Sequence, residues 1–160
     1  MFKVCFVCLG NICRSPTAEV VMRAKLRASG LADQVAVSSA GTGDWHVGSG
    51  VDARAAEALA AGGYDGFDDH SARQFDPAWF DDLDLVIALD RENLAALRRL
   101  TPADQRDQVR LLRSFDPTAG PDDLEVPDPY YGGSGGFERV LGMVERACDG
   151  LVGYIREQLG

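Results

Sequence analysis

Cys8 stands five residues before Arg14 in the run Cys8-Leu9-Gly10-Asn11-Ile12-Cys13-Arg14-Ser15. A thiol and a guanidinium at this spacing, in a short loop that leads into a helix, can serve one anion. Backbone N–H groups of a curled loop converge on a common centre, and Gly10 and Asn11 tolerate the backbone angles that such a curl demands. Those amides, the helix N-terminus and the planar fork of Arg14 would bind an oxyanion. The same positive field favours the thiolate of Cys8, so a nucleophile and an oxyanion receptor share the loop. Ser15 can add a hydroxyl donor toward the sulfur. Transfer of a phosphoryl group to that sulfur also needs an acid for the leaving oxygen, and the loop has none. Asp116, Asp122, Asp123, Glu125 and Asp128 all lie in the later segment 114–136. Residue chemistry alone leaves these five open. Asp128 is the favoured one, because Pro129-Tyr130-Tyr131 follows it and aromatic rings can wall a slot for an aryl group.

The elements around these residues read as alternating strands and helices. Phe2 to Val7 is a short apolar run, and after Pro16 the residues Ala18, Val21, Met22 and Leu26 fall at helical spacing. Strand, tight loop and helix follow, with Ser15 expected as N-cap, Pro16 in the first turn and Gly30 as the stop. Gln34 to Ser38 reads as a second strand, Ala53 to Ala61 as a helix closed by Gly62-Gly63, and Leu85 to Leu89 as a third strand. That last run lacks polar alternation, as in a parallel sheet covered on both faces. Asp90 and Asn93 open a helix carrying Leu94, Leu97 and Leu100, Val109 to Leu112 is a fourth strand, and the apolar spacing from Phe137 to Leu159 gives a long terminal helix. Residues 114–136 form a long Pro-, Gly- and Asp-rich surface loop, the candidate mobile element. An α/β layered fold with a parallel sheet is the expectation, and in such sheets ligands bind beyond the carboxyl ends of the strands.

Sixteen Lys and Arg against twenty-five Asp and Glu give a formal charge of −9 over 160 residues, which argues against a general nucleic-acid binder. Any anion site must be local. The N-terminal apolar stretch is too short for a signal-peptide core, and no run reaches membrane-spanning length. Three of the four cysteines crowd into the first thirteen residues, unlike a secreted disulfide framework, so a cytoplasmic location with no membrane insertion is expected. Cys8 and Cys13 lack the spacing and neighbouring ligands of a zinc site. Cys5 and Cys148 read as core residues, His46 carries no role, and the acidic residues from Asp65 to Asp82 read as solvated surface.

The nine residues Cys8 to Pro16, together with Asp128-Pro129-Tyr130-Tyr131-Gly132, resemble the low-molecular-weight protein tyrosine phosphatases. The order and separation of the two segments agree with that family, as does the chain length. The resemblance implies one phosphatase domain over residues 1–160, with a three-layer fold whose four-stranded parallel sheet is flanked by helices and whose phosphate-binding loop follows strand 1. It implies hydrolysis of phosphotyrosine and small aryl phosphates through a phosphocysteine intermediate. On that basis Cys8 is the nucleophile, Arg14 the phosphate clamp, and Asp128 first the general acid and then the general base. Leu9, Gly10, Asn11, Ile12, Cys13 and Ser15 would complete the substrate loop. Asn11 would hold its strained shape, with Ser39 and His70 as hydrogen-bonding supports. Trp45 and Tyr131 match aromatic residues flanking the family's pocket, and Tyr130 neighbours them. Cys13 matches a cysteine that forms a reversible disulfide with the nucleophile.

The partners implied are tyrosine-phosphorylated proteins, and a tyrosine kinase if Tyr130 or Tyr131 is itself phosphorylated. The expected state is a monomer or weak homo-oligomer, and no metal or cofactor is implied. A thiol-dependent arsenate reductase would share the loop, but it relays oxidation to cysteines in mid-chain, and none lies between Cys13 and Cys148. A phosphotyrosine-binding module without catalysis would have no use for Cys8 and Asp128 together.

Overall fold

A computed structural model describes residues 1–130, 132 and 135–160. Four strands, β1 (Phe2–Cys8), β2 (Val35–Gly41), β3 (Leu85–Ala88) and β4 (Val109–Leu111), form one sheet in the order β2-β1-β3-β4, with every pairing parallel. Helices α1 (Arg14–Ala28), α2 (Ala53–Ala61), α3 (Arg91–Leu100) and α4 (Gly136–Leu159) accompany it, with short 3-10 turns at Pro77–Asp81, Ala103–Gln108 and Leu112–Phe115.

Alternation along β1 distributes the core. Val4, Phe6 and Cys8 join Val21, Met22 and Leu26 of α1 and Val144, Cys148 and Leu151 of α4 on one face. Cys5 and Val7 join Leu94 and Leu97 of α3 with Phe75 and Phe80 on the other. Both faces of β3 are covered, which is why Leu85 to Ala88 carries no polar residue. The three layers place helices on both sides of the sheet, as expected.

The order reverses direction at β1. The chain leaves β1 through α1 to reach β2 on one side, then crosses to β3 on the other. The carboxyl ends of β1 and β3 therefore open a crevice at the turn of the winding, with the starts of α1 and α3 beside it.

Several boundaries differ from the sequence expectation. β1 and β2 run on to Cys8 and Gly41, because their register pairs those two residues at the sheet's edge. β3 and β4 each stop one residue early, at Ala88 and Leu111. Ser15 is not the N-cap of α1. The cap position is Cys13, with no side-chain cap bond, and Ser15 lies one residue inside the helix with its hydroxyl turned toward Cys8. From 116 to 130 the chain has neither helix nor strand. It is nonetheless fastened, by Arg113 on Asp123 at 2.7 Å and by the Val126 N–H on the Leu89 carbonyl at 2.8 Å.

Candidate active site

β1 delivers Cys8 to the sheet's carboxyl edge, and residues 9–13 curl back over it before α1 begins. The Asn11 backbone N–H donates to Cys8 Sγ at 3.3 Å, and Ser15 Oγ lies 3.0 Å from the same sulfur. The curl turns on one residue. Asn11, at φ 58°, is the only non-glycine with positive φ among the described residues. Its side chain is fully engaged, donating to Ser15 Oγ (2.8 Å) and Ser39 Oγ (3.0 Å) and accepting from the Arg73 backbone N–H (3.0 Å). Ser39 Oγ in turn donates to Glu19 Oε1 at 2.5 Å. The Asn11 carbonyl can only accept, so His70 Nε2, 2.7 Å away, carries the proton. Ser39 and His70 thus both bond to Asn11, one at its side chain and the other at its carbonyl.

Gly10 has a different reason from the one expected. Its φ is not positive; a Cβ there would lie 2.9 Å from the His46 ring. Gly43 supports Trp45 in the same way, since a Cβ on it would overlap the indole at 1.8 Å. Trp45 is 71% exposed yet lies flat on backbone.

Arg14 is 3% exposed. Its Nη1 donates to Asp90 Oδ2 (2.5 Å) and to the Val126 carbonyl (3.0 Å), while Nη2 faces Asp128 Oδ2 at 3.6 Å. Burial works against its charge, but the negative groups around it, Cys8, Asp90 and Asp128, outweigh burial and raise its proton affinity. Asp90 divides its carboxylate, since Oδ1 caps α3 at the Asn93 N–H (2.7 Å) while Oδ2 holds the Arg14 guanidinium.

The structure separates the five acids of the long loop. Asp116 closes a turn on Thr118, Asp123 pairs with Arg113, and Glu125 accepts from the Arg91 N–H. Asp122 points to solvent. Only Asp128 lines the cavity of about 280 Å³ above Cys8, with Arg14 beside it. Its Oδ1 accepts from the Tyr130 N–H at 3.0 Å, leaving Oδ2 toward the cavity. Leu9, Gly10, Ile12, Cys13, Trp45, His46 and Tyr130 complete the wall. His46 was passed over in the sequence because an isolated imidazole there carried no pattern. Tyr131 lies outside the described residues. Among the described residues no cluster of metal-ligating side chains is present.

Cys13 is buried against Ala55, Ala58 and Phe137. Burial first, then the charges of Asp52, Cys8 and Asp128, push its thiol up to about 12. Burial likewise raises Cys5 to about 11 and lifts Cys148 well above its ordinary range. Both are core residues, as read from the sequence.

Three further residues were missed. Asp90 was legible as a cap but not as the partner of Arg14, 76 residues away. Gly41 has no motif, yet a Cβ on it would stand 2.7 Å from the Leu9 carbonyl and 3.2 Å from the Asn11 nitrogen. Val126 contributes only its carbonyl, which no side chain announces.

The fold and the site together define an α/β protein with a thiol, a guanidinium and a carboxylate on one cavity, at the crevice where the sheet's winding reverses. The family model for low molecular weight phosphotyrosine protein phosphatases matches residues 3–159. The chain belongs to that family, and it is a phosphatase. A low molecular weight protein-tyrosine-phosphatase of Streptomyces coelicolor is 57% identical over 160 residues, covering 99% of this chain and 96% of the relative. Low molecular weight protein-tyrosine phosphatase A of Mycobacterium tuberculosis is 49% identical over 156 residues, covering 98% and 93%. Among solved structures, a protein tyrosine phosphatase from Entamoeba histolytica superposes with a TM-score of 0.93 at 35% identity, covering 100% of both chains. YfkJ from Bacillus subtilis gives 0.91 at 37%, covering 99% and 96%.

Proposed function

We propose that this chain hydrolyses phosphotyrosine in proteins, and small aryl phosphates, in two steps through a phosphocysteine. In the first, Cys8 Sγ attacks phosphorus and the bond to the phenolic oxygen breaks as Asp128 gives that oxygen a proton. In the second, a water attacks phosphorus, Asp128 takes back a proton, and the S–P bond breaks to return the Cys8 thiolate and phosphate. Arg14 holds two equatorial oxygens in both steps, and Ser15 donates to the sulfur as it leaves.

The observation that carries this reading is the convergence on one cavity of the Cys8 sulfur, the Arg14 guanidinium and the Asp128 carboxylate. Trp45 and Tyr130 supply flat walls for a phenyl ring, with Tyr131 a further wall by the same reading. The test is phosphate release from a phosphotyrosine peptide and a phosphoserine peptide, with chelator present, by the parent and Cys8→Ser. Chelator-resistant release from phosphotyrosine alone, lost in Cys8→Ser, is the expected result; release by Cys8→Ser at the parent rate overturns the mechanism.

The reading extends to control by oxidation. Cys8 and Cys13 line the same cavity and both are free thiols, so a sulfenic acid formed at Cys8 can be captured by Cys13 as a disulfide. Peroxide-treated parent should recover with a dithiol while Cys13→Ser does not; equal recovery rejects the idea. The same reading has the enzyme act in the cytoplasm as a monomer or weak homo-oligomer, the latter checked by sedimentation. It also has Tyr130 or Tyr131 open to a tyrosine kinase, which phosphopeptide mass mapping after kinase treatment checks.

A further inference from the structure

The acid and the nucleophile of the proposed reaction are carried by segments far apart in the sequence, and one side chain outside the cavity wall ties them together. Asp52, the N-cap of α2, donates its backbone N–H to the Ile12 carbonyl of the anion loop at 2.9 Å. Its carboxylate holds Arg54 by both oxygens, Oδ1 to Nε and Oδ2 to Nη2, each at 3.1 Å. Arg54 then reaches across with its remaining arm and donates Nη1–H to the Tyr130 carbonyl at 3.1 Å. The plane of the guanidinium is also gripped by two rings, 5.1 Å from the Tyr130 centroid and 4.8 Å from that of Phe137. The residue so held is the one whose N–H fixes Asp128 Oδ1 at 3.0 Å. One amino acid, Tyr130, therefore takes Arg54 on its carbonyl and Asp128 on its N–H.

We infer that Arg54 is a positioning residue for the general acid: it fixes Tyr130 so that Asp128 presents Oδ2, the oxygen not held by the Tyr130 N–H, to the leaving group. The path runs from the anion loop through Asp52 and Arg54 to Tyr130 and ends at Asp128, so the distance between sulfur and acid is set through α2. This inference rests on the reading of Asp128 as the acid. Three donors in one plane are required, two for Asp52 and one for Tyr130, and a guanidinium supplies them where an ammonium supplies its protons in a tripod.

Leaving-group dependence distinguishes this role from a merely structural one. A displaced acid slows cleavage where the departing phenolate is basic and matters little where it is not. Arg54→Ala should lower kcat/KM for phenyl phosphate roughly tenfold and for 4-nitrophenyl phosphate by less than about threefold. Arg54→Lys, which keeps a cation over the rings and one donor for the carbonyl, should recover part of the loss. In an Asp128→Ala background, Arg54→Ala should change neither substrate by more than about twofold. Should the Arg54→Ala protein fail to fold, Arg54→Lys and Arg54→Gln are compared in the same way.

A loss equal on both substrates, or one that persists undiminished beside Asp128→Ala, overturns the inference. Failure of the underlying reading looks different, because then Asp128→Ala by itself shows no leaving-group dependence. That result removes the acid and with it the role of Arg54.

Discussion

Asn11 concentrates two demands in one residue, a left-handed backbone and three side-chain hydrogen bonds inside the core. Substitution separates them. Asn11→Gly keeps the backbone freely accessible and loses the bonds, while Asn11→Ala loses the bonds and adds strain of about 1–2 kcal/mol. Asn11→Ala should therefore melt lower than Asn11→Gly by that margin, with kcat reduced in both; equal melting would mean the loop relaxes out of its curl. The cysteines allow a second check at this scale. With its thiol pushed up to about 12 by burial and the acids near it, Cys13 stays protonated across the neutral range. Iodoacetamide at pH 7 should label Cys8 and spare Cys13, and inorganic phosphate should protect Cys8. Mass mapping that finds Cys13 modified first would contradict this environment.

Elements meet at the site through contacts that local sequence does not record. β2 passes so close beneath the loop that a Cβ on Gly41 would meet the Leu9 carbonyl at 2.7 Å, so Gly41→Ala forces the loop outward. A cost of about 1–3 kcal/mol in stability and a fall in kcat larger than the change in KM are expected, from denaturant melts and steady-state kinetics. Asp90 joins α3 to α1 across the crevice. Asp90→Ala strips a cap and leaves a buried guanidinium half-held, which should cost about 3 kcal/mol and lower kcat/KM about a hundredfold. Unchanged catalysis in a folded Asp90→Ala protein would show that Val126 and the anion suffice to orient Arg14. These cases explain what could be read in advance. α2 was legible from end to end and α3 from its first residue, because alanine content, apolar spacing and an Asp cap are local signals. Ser15 was read both as N-cap and as a donor to the sulfur, because the same hydroxyl suits either, and the curl of residues 9–13 puts it beside the sulfur while the cap position falls to Cys13. Gly41, Asp90 and Arg54 act on partners from 30 to 76 residues away, judged from the residues they meet, and no short window contains both ends.

For the molecule as a whole, the formal charge of −9 surrounds a site built for an anion. Long-range repulsion slows the approach of an acidic phosphopeptide, and salt screens it within a Debye length of about 10 Å at 0.1 M. kcat/KM for a peptide rich in Asp and Glu should therefore rise between low and moderate ionic strength, while that for a peptide of basic flanks should fall. Parallel trends for the two peptides would locate the charge effect inside the site instead. The scaffold also divides the labour of the site between its two ends. On the proposed mechanism the anion loop comes from the first fifteen residues and the acid from the loop before α4, and α4 packs against α1 through the shared core. Loss of α4 from the core should release the acid and the anion loop together.

The clamp offers a last consequence. Arg14 is seated by Asp90 and the Val126 carbonyl, so its fork is aimed as the chain folds. On the proposed mechanism an incoming phosphate monoester finds a receptor already assembled, and so does the inorganic phosphate that each turnover leaves behind. The product is thus a competitor and a stabiliser at once: as phosphate accumulates, the enzyme should become harder to melt and slower to work, and its throughput will follow the phosphate level of its surroundings as well as the supply of substrate.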